Sequence, residues 1–221
     1  MTIDGIIFDF DGVLIESEHV GAVQIARTLT ELGHPTSVDE ALDAFTGLGG
    51  AHFQSALEQW LGRPVPQAFH DARAIEDARV MAQGVDAVAG AVAFVRSLPQ
   101  ALPRAVASSS TTDWIATHLR HIGLSDAFGD HLYSGREHVT RGKPAPDIYL
   151  HAAHAIGIDI TRALIIEDSV VGVTGAVASG AQVVGLAAGS HCRLDHAARL
   201  RAAGAPVVVG DFGAIAALLV R

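Results

Sequence analysis

The sequence predicts a doubly wound α/β core with a mainly parallel sheet, interrupted after its first strand by an all-helical insertion. Three observations lead there. From about Gly84 onward, short apolar runs alternate with segments of helical periodicity, as successive strand–helix units do. Several of these runs, such as ALII from Ala163 and QVVGL from Gln182, are continuously apolar, as strands are when helices cover both faces of a parallel sheet. Between Glu16 and Gln83, apolar residues recur only at helical spacing.

The first strand is the run Ile6-Ile7-Phe8, closed by Asp9, Asp11 and Gly12. An Asp-Gly pair can make no more than a tight bend, but ending a buried strand in two carboxylates is costly unless they bind a cation or do chemistry. Val20, Val23, Ala26, Leu29 and Leu32 then mark a helix that stops at Gly33. Ser37 and Glu40 form a capping-box pattern for a second helix through Leu42 and Phe45. Phe53, Leu57, Trp60 and Leu61 mark a third, ended by Gly62 and Pro64, and Phe69, Ala72, Ile75 and Met81 a fourth. These stripes read as bundle core, which is what amphipathic helices usually bury.

The alternating part follows. Helices are expected over Ala87–Ser97, Thr112–Ile122, Ala145–Ile156, Val170–Ser179, Asp195–Ala203 and Phe212–Leu219. Strands are expected over Arg104–Ser108, His131–Ser134, Ala163–Ile166, Gln182–Leu186 and Pro206–Val209. Residues 1–15 with 87–221 thus make the α/β core, and residues 16–86 the helical domain, with hinges near Leu14–Ser17 and Gln83–Ala89.

Composition narrows the class. The 221 residues are 49% hydrophobic and 18% charged, with a net charge of −9. Such a chain is globular and long enough to bury a sizeable core, and its acidic balance argues against a nucleic-acid partner, which usually needs a basic stripe. The single cysteine, Cys192, excludes an internal disulfide framework and suits a reducing compartment. No secretory leader and no bilayer-spanning apolar stretch is visible. A cytoplasmic monomer acting on a small molecule is the expectation, with no nucleic acid or membrane as partner. Of the twelve histidines, His118/His121 and His151/His154 sit three apart. Neither pair has a third ligand nearby, so they read as surface or half-buried residues, not as a zinc site.

In a doubly wound fold, ligands bind beyond the carboxyl ends of the strands. There the first strand offers Asp9 and Asp11, the second Ser108-Ser109-Ser110, and the fourth Glu167-Asp168, while the loop after the third carries Arg141-Gly142-Lys143-Pro144. Clustered carboxylates repel one another unless a cation intervenes, so Asp9, Asp11, Glu167 and Asp168 call for a hard divalent metal such as Mg²⁺. Hydroxyls, backbone N–H groups and the Lys143 ammonium suit an anion instead. Ser109 and Ser110 also suit helix capping. A metal, an anion cradle and a carboxylate able to act as nucleophile together describe a phosphoryl-transfer site. A P-loop reading of Gly135 through Lys143 fails, because the spacing is wrong and Pro144 follows the lysine.

FDFDGVL, VASSS, RGKPAPDIY and IIEDSVVG resemble, in order, the four motifs of the haloacid dehalogenase (HAD) superfamily. The helical insertion resembles the cap of its subgroup of β-phosphoglucomutases and sugar-phosphate phosphatases. The resemblance implies an HAD-like core and a mobile cap that selects the substrate. It implies that Asp9 is the nucleophile that becomes phosphorylated. Asp11 is implied as general acid and then base, with its carbonyl on the metal. Ser108 and Ser109 would hold the phosphoryl group, and Lys143 would neutralise it. Asp168 would ligate Mg²⁺, with Glu167 a direct or water-mediated ligand.

Mutases of the subgroup clamp a second phosphate with a cap arginine and tune the acid with a cap histidine. Here Gly50 and Gly21 stand at those places. Loss of a guanidinium clamp favours a phosphatase, although Arg73 or Arg79 could replace the charge. Tyr133-Ser134-Gly135 and Ala188-Gly189-Ser190-His191 also resemble sugar-phosphate phosphatases, so a phosphorylated sugar or sugar acid such as 6-phosphogluconate is the expected substrate. Glu16 stands where Asp is usual before Ser17 and reads as a hinge position. A receiver-like phospho-acceptor is the alternative of another class. A second aspartate two residues after the acceptor, which serves turnover, argues against it, as does the long insertion.

Overall fold

The computed structural model describes residues 3–219. Six strands form one parallel sheet: β1 (Gly5–Phe8), β2 (Arg104–Ser108), β3 (Leu132–Ser134), β4 (Ala163–Glu167), β5 (Gln182–Leu186) and β6 (Val207–Val209). Their order is β3-β2-β1-β4-β5-β6. The strand that leads into Asp9 is therefore central. Its neighbours are in register with it, Phe8 lying between Val106 of β2 and Ile166 of β4. That register brings the ends of three strands to one edge.

Four helices follow β1 in sequence: α1 (Ser17–Glu31), α2 (Val38–Phe45), α3 (Gly50–Leu61) and α4 (Gln67–Gln83). They pack a cluster of their own, including Ile25, Leu29, Leu42, Phe45, Leu57 and Phe69. The predicted capping box is present: Ser37 Oγ accepts from the Glu40 N–H at 3.2 Å, and the Ser37 N–H donates to Glu40 Oε2 at 2.8 Å. The remaining helices are α5 (Ala91–Ser97), α6 (Thr112–His121), α7 (Ser125–Phe128), α8 (Asp147–Ala155), α9 (Val170–Ala178), α10 (His196–Ala202) and α11 (Phe212–Leu219).

The sheet buries both faces, as its continuous apolar strands require. On one side Phe8 meets Phe94 and Phe128 edge-to-face, with ring centroids 6.2 and 5.6 Å apart. On the other, Ile7 and Ile165 pack against Ile148 and Tyr149 of α8.

Two elements depart from the sequence reading. The helix expected from Ala87 begins at Ala91, because Ala87 pairs with Ile15 and Gly90 takes a left-handed conformation at φ 84°. Helical periodicity there continues into a stretch that is extended. Helix α7 has four residues, too few to show a period. The two connections of the helical insertion are bonded to each other: the Glu16 N–H donates to Asp86 O at 2.9 Å, and the Val88 N–H to Leu14 O at 3.1 Å.

Candidate active site

Asp9 follows β1, and its N–H donates to Ile166 O of β4 at 2.9 Å. The chain then turns sharply, with Gly12 at φ 82°. A Cβ there would come within 2.0 Å of Asp168 Oδ2, so only glycine permits the turn and the close approach of Asp168.

Lys143 is buried between two carboxylates: its ammonium donates to Asp9 Oδ1 and, at 2.6 Å, to Glu167 Oε1. Burial alone would lower the Lys143 pKa, but the Asp9 and Glu167 carboxylates overcome it and push it well above its ordinary value. Asp9 moves up, first through burial and then through the negative charge of Glu167, with Lys143 opposing. Asp168 moves up for the same first two reasons.

Glu167 is fully buried and saturated with donors. Oε1 accepts from Lys143 and, at 2.8 Å, from the Tyr149 hydroxyl. Oε2 accepts from the Asp168 N–H, the Ser169 N–H and the Ser169 hydroxyl at 2.9, 3.0 and 3.1 Å. Asp168 is the opposite case. Both of its carboxylate oxygens are buried without a well-directed hydrogen bond, although His191 Nε2 comes within 2.8 Å of Oδ2. Oxygens of Asp9, Glu167 and Asp168 lie within 4.8 Å of one another. Three carboxylates so close, with one ammonium among them and one carboxylate lacking donors, fit a hard divalent cation.

Asp11 lies outside that trio. Ser17 Oγ and Trp114 Nε1 donate to its Oδ1 at 2.6 and 3.1 Å, and Ser110 Oγ and Ser108 Oγ to its Oδ2 at 2.7 and 3.2 Å. Ser110 therefore serves Asp11, and the cap of α6 is Thr111, whose hydroxyl accepts from the Trp114 N–H. Ser108 is buried at the end of β2 and Ser109 is half-buried beside it.

Above these residues, between the sheet edge and α1–α4, is a cavity of about 560 Å³ lined by Asp9, Asp11, Ser108, Ser109, Lys143 and Asp168 on the sheet side. Glu18, Gln24, Gly47, Phe53, His70 and Arg73 line it from the helical side. Arg73 donates to Gln24 at 3.3 Å and pairs with Asp77 at 2.9 Å. Arg79 pairs with Glu76 and is not part of the lining.

The sequence reading gives no site role to Glu18, Trp114, His118, His191 or His196. Glu18, in the first turn of α1, accepts from the Gly47 N–H at 3.3 Å. Burial, then the charges of Asp168 and Asp11, push its carboxyl up to about 8. Trp114 holds Asp11 and is stacked on His118, centroids 4.1 Å apart. His118, expected as a surface or half-buried residue, is fully buried, with Nδ1 at 2.9 Å from Trp114 O. His191 and His196 both reach Asp168.

Among curated proteins, the chain is similar to the 6-phosphogluconate phosphatase of Escherichia coli, at 26% identity over 86% of this chain and 85% of that protein. It is similar to the validoxylamine A 7′-phosphate phosphatase of Streptomyces hygroscopicus, at 30% identity over 81% and 84%. Among solved structures, a conserved haloacid dehalogenase-like protein of unknown function from Agrobacterium tumefaciens superposes with a TM-score of 0.86, at 34% identity, over 99% of this chain and 98% of that one. A HAD family hydrolase from Deinococcus radiodurans, solved with bound phosphate and sodium, gives 0.81 at 34% identity over 99% and 95%. The model of the haloacid dehalogenase-like hydrolases matches residues 3–180, most of the chain, and the protein belongs to that family.

Proposed function

We propose that the protein is a Mg²⁺-dependent phosphatase that hydrolyses a small phosphorylated metabolite, a sugar phosphate or sugar-acid phosphate, through a phosphorylated Asp9. The observation that carries this is the buried trio of Asp9, Glu167 and Asp168 around Lys143 at the floor of the cavity. The relatives named as phosphatases of 6-phosphogluconate and validoxylamine A 7′-phosphate support the substrate class.

The residues divide the work. Asp9 attacks the phosphorus through Oδ2, the oxygen that no described residue donates to, while Lys143 holds Oδ1. As the P–O bond to the alcohol breaks, Asp11 gives the leaving oxygen a proton. Water then attacks the phosphorus of phosphorylated Asp9 and passes a proton to Asp11, which frees phosphate and restores Asp9. Ser108 and the N–H of Ser109 orient the phosphoryl oxygens, and Lys143 offsets their charge. For Ser108 this means trading its bond to Asp11 for one to the phosphoryl group.

Mg²⁺ would be held by Asp9, Asp168 and the Asp11 carbonyl, and when bound it neutralises the phosphoryl group and keeps Asp9 ionised. Glu167, with five donors, fixes Lys143 and the Asp168 backbone and would serve as a direct or water-mediated ligand. Residues 16–86 act as a cap over the core of residues 1–15 and 87–221. Arg73, already paired with Asp77, is a weak substitute for a second-phosphate clamp, which places hydrolysis ahead of mutase activity.

The test is phosphate release from a panel of sugar and sugar-acid phosphates, with and without Mg²⁺, compared with Asp9→Asn. Asp9→Asn is expected to remove essentially all turnover. Equal release by wild type and variant overturns the reading. Faster conversion of β-glucose 1-phosphate to glucose 6-phosphate than hydrolysis favours the mutase.

A further inference from the structure

The segment that follows β5, from Gly189 to Arg199, touches Asp168 and the cap at once. On the Asp168 side, His191 Nε2 lies 2.8 Å from Oδ2, and His196 Nε2 lies 2.6 Å from the Asp168 carbonyl oxygen. The Asp168 N–H is held by Glu167 Oε2. Asp168 is thus hydrogen-bonded at its amide and its carbonyl, while its carboxylate has only the close approach of His191 Nε2 to Oδ2. His191 is the one basic side chain among the described residues within ion-pair distance of that carboxylate.

The fit is built in. The His191 ring lies where two glycines have no side chain: a Cβ on Gly12 would be 2.9 Å from its Cε1, and one on Gly189 2.6 Å from Cε1 and Nδ1. The two imidazoles meet edge-on, centroids 5.3 Å apart at 87°. His191, Cys192 and His196 also bring ligand-type atoms within 4.8 Å of one another. His196 Nε2, however, is bonded to the Asp168 carbonyl, and His191 Nε2 lies between Asp168 Oδ2 at 2.8 Å and Cys192 Sγ at 3.5 Å, so both rings are engaged around Asp168.

On the cap side, the Ser190 N–H and hydroxyl donate to Glu16 Oε2 at 2.8 and 2.6 Å, at the start of α1. Arg193 and Arg199 pair with Asp43 of α2 at 3.2 and 2.9 Å. One short segment therefore fastens Glu16 and the second cap helix to Asp168.

We propose that His191 is a positioning residue for Asp168, holding Oδ2 so that Oδ1 meets the cation, and that the segment 189–199 couples the affinity of the metal site to the position of the cap. The inference rests on the reading of Asp168 as a metal ligand. Partners that fix a ligating side chain typically change metal affinity 10- to 100-fold when lost. The cap ties are half-exposed ion pairs, each worth roughly 0–1 kcal/mol, which corresponds to a few-fold in binding.

The experiment is a titration of the whole protein with Mn²⁺, followed by electron paramagnetic resonance of the free ion. The variants are His191→Asn, His191→Gln and Asp43→Ala. The Gln amide nitrogen reaches the place of Nε2 and the Asn amide does not. His191→Asn is expected to weaken Mn²⁺ about tenfold or more, and His191→Gln by no more than about threefold. Asp43→Ala is expected to weaken it about two- to fourfold. Equal affinities for the Asn and Gln variants, or an Asn variant within about twofold of wild type, overturn the positioning role. Should His191→Asn not fold, a loss of more than about tenfold in His191→Gln overturns it. An unchanged affinity in Asp43→Ala overturns the coupling. Failure of the wild-type protein to bind Mn²⁺ fails the metal reading itself, a separate result.

Discussion

Replacing Gly172 by alanine sets two effects of opposite sign against each other. Gly172 lies inside α9, where a glycine-to-alanine change ordinarily stabilises by about 1 kcal/mol. Here the new Cβ would fall 1.7 Å from Glu167 Oε1 and 2.0 Å from its Cδ. Glu167 cannot swing aside cheaply, because five donors hold its two oxygens. Moving the helix instead strains a packed interior, at about 1–3 kcal/mol. Breaking even one buried hydrogen bond to the charged carboxylate adds about 1.5–3 kcal/mol. The clash outweighs the propensity gain, and the net expectation is a loss of about 2–4 kcal/mol. Urea unfolding measures it, with Gly21→Ala in α1 as control, since a Cβ there meets nothing nearer than Arg73 Nη1 at 4.0 Å. The control should be neutral or gain up to about 1 kcal/mol. A Gly172→Ala protein as stable as wild type would show that Glu167 is not locked as described.

Two further outcomes are expected. The Glu18 carboxyl titrates at about 8 in the native state, above its ordinary 4.5, so the native protein binds that proton more tightly than the unfolded chain. The resulting stability is full below about pH 4.5 and is lost as pH rises through about 8. Solvent in the cavity screens most of the effect, so without divalent cations Glu18→Gln should be about 1–2 kcal/mol more stable than wild type at pH 9 and equal to it at pH 4. Thermal melts across that range check it, and a pH-independent difference refutes it. Ser37→Ala removes the cap of α2 and should cost about 1 kcal/mol in urea unfolding. No change would mean that α2 does not depend on that box.

What could be read from the sequence were the places where a strong local pattern meets an exception. Asp9 and Glu167 stood out because an apolar strand should not end in carboxylates without a reason. Lys143 stood out in a proline-stiffened loop. The alternation of strands and helices supplied the order of elements, and the capping box at Ser37 supplied a helix start. The contacts that escaped have no local pattern. Trp114 and Asp11 are 103 positions apart, and Trp114 reads as one more apolar residue on α6. His118 sits on an amphipathic helix like any surface histidine, and only the stacked indole makes its burial intelligible. Glu18 and His191 become acidic-site residues through the folding of α1 and of the segment after β5 onto the strand ends. The false start of α5 has a similar cause, since the Ile15–Ala87 pairing is a long-range event.

The bonded connections at Glu16–Asp86 and Val88–Leu14 have a consequence for what the fold can carry. The backbone of the insertion joins the core at two chain ends held a hydrogen bond apart. The entropy of closing a flexible segment between fixed ends grows with the logarithm of its length, about 0.6 kcal/mol per doubling. Lengthening, shortening or exchanging the helices between those ends therefore costs the sheet little. The helices of the insertion can change while the carboxylates, the lysine and the serines at the strand ends keep their register, because the backbone passes between the two parts only at that doorway.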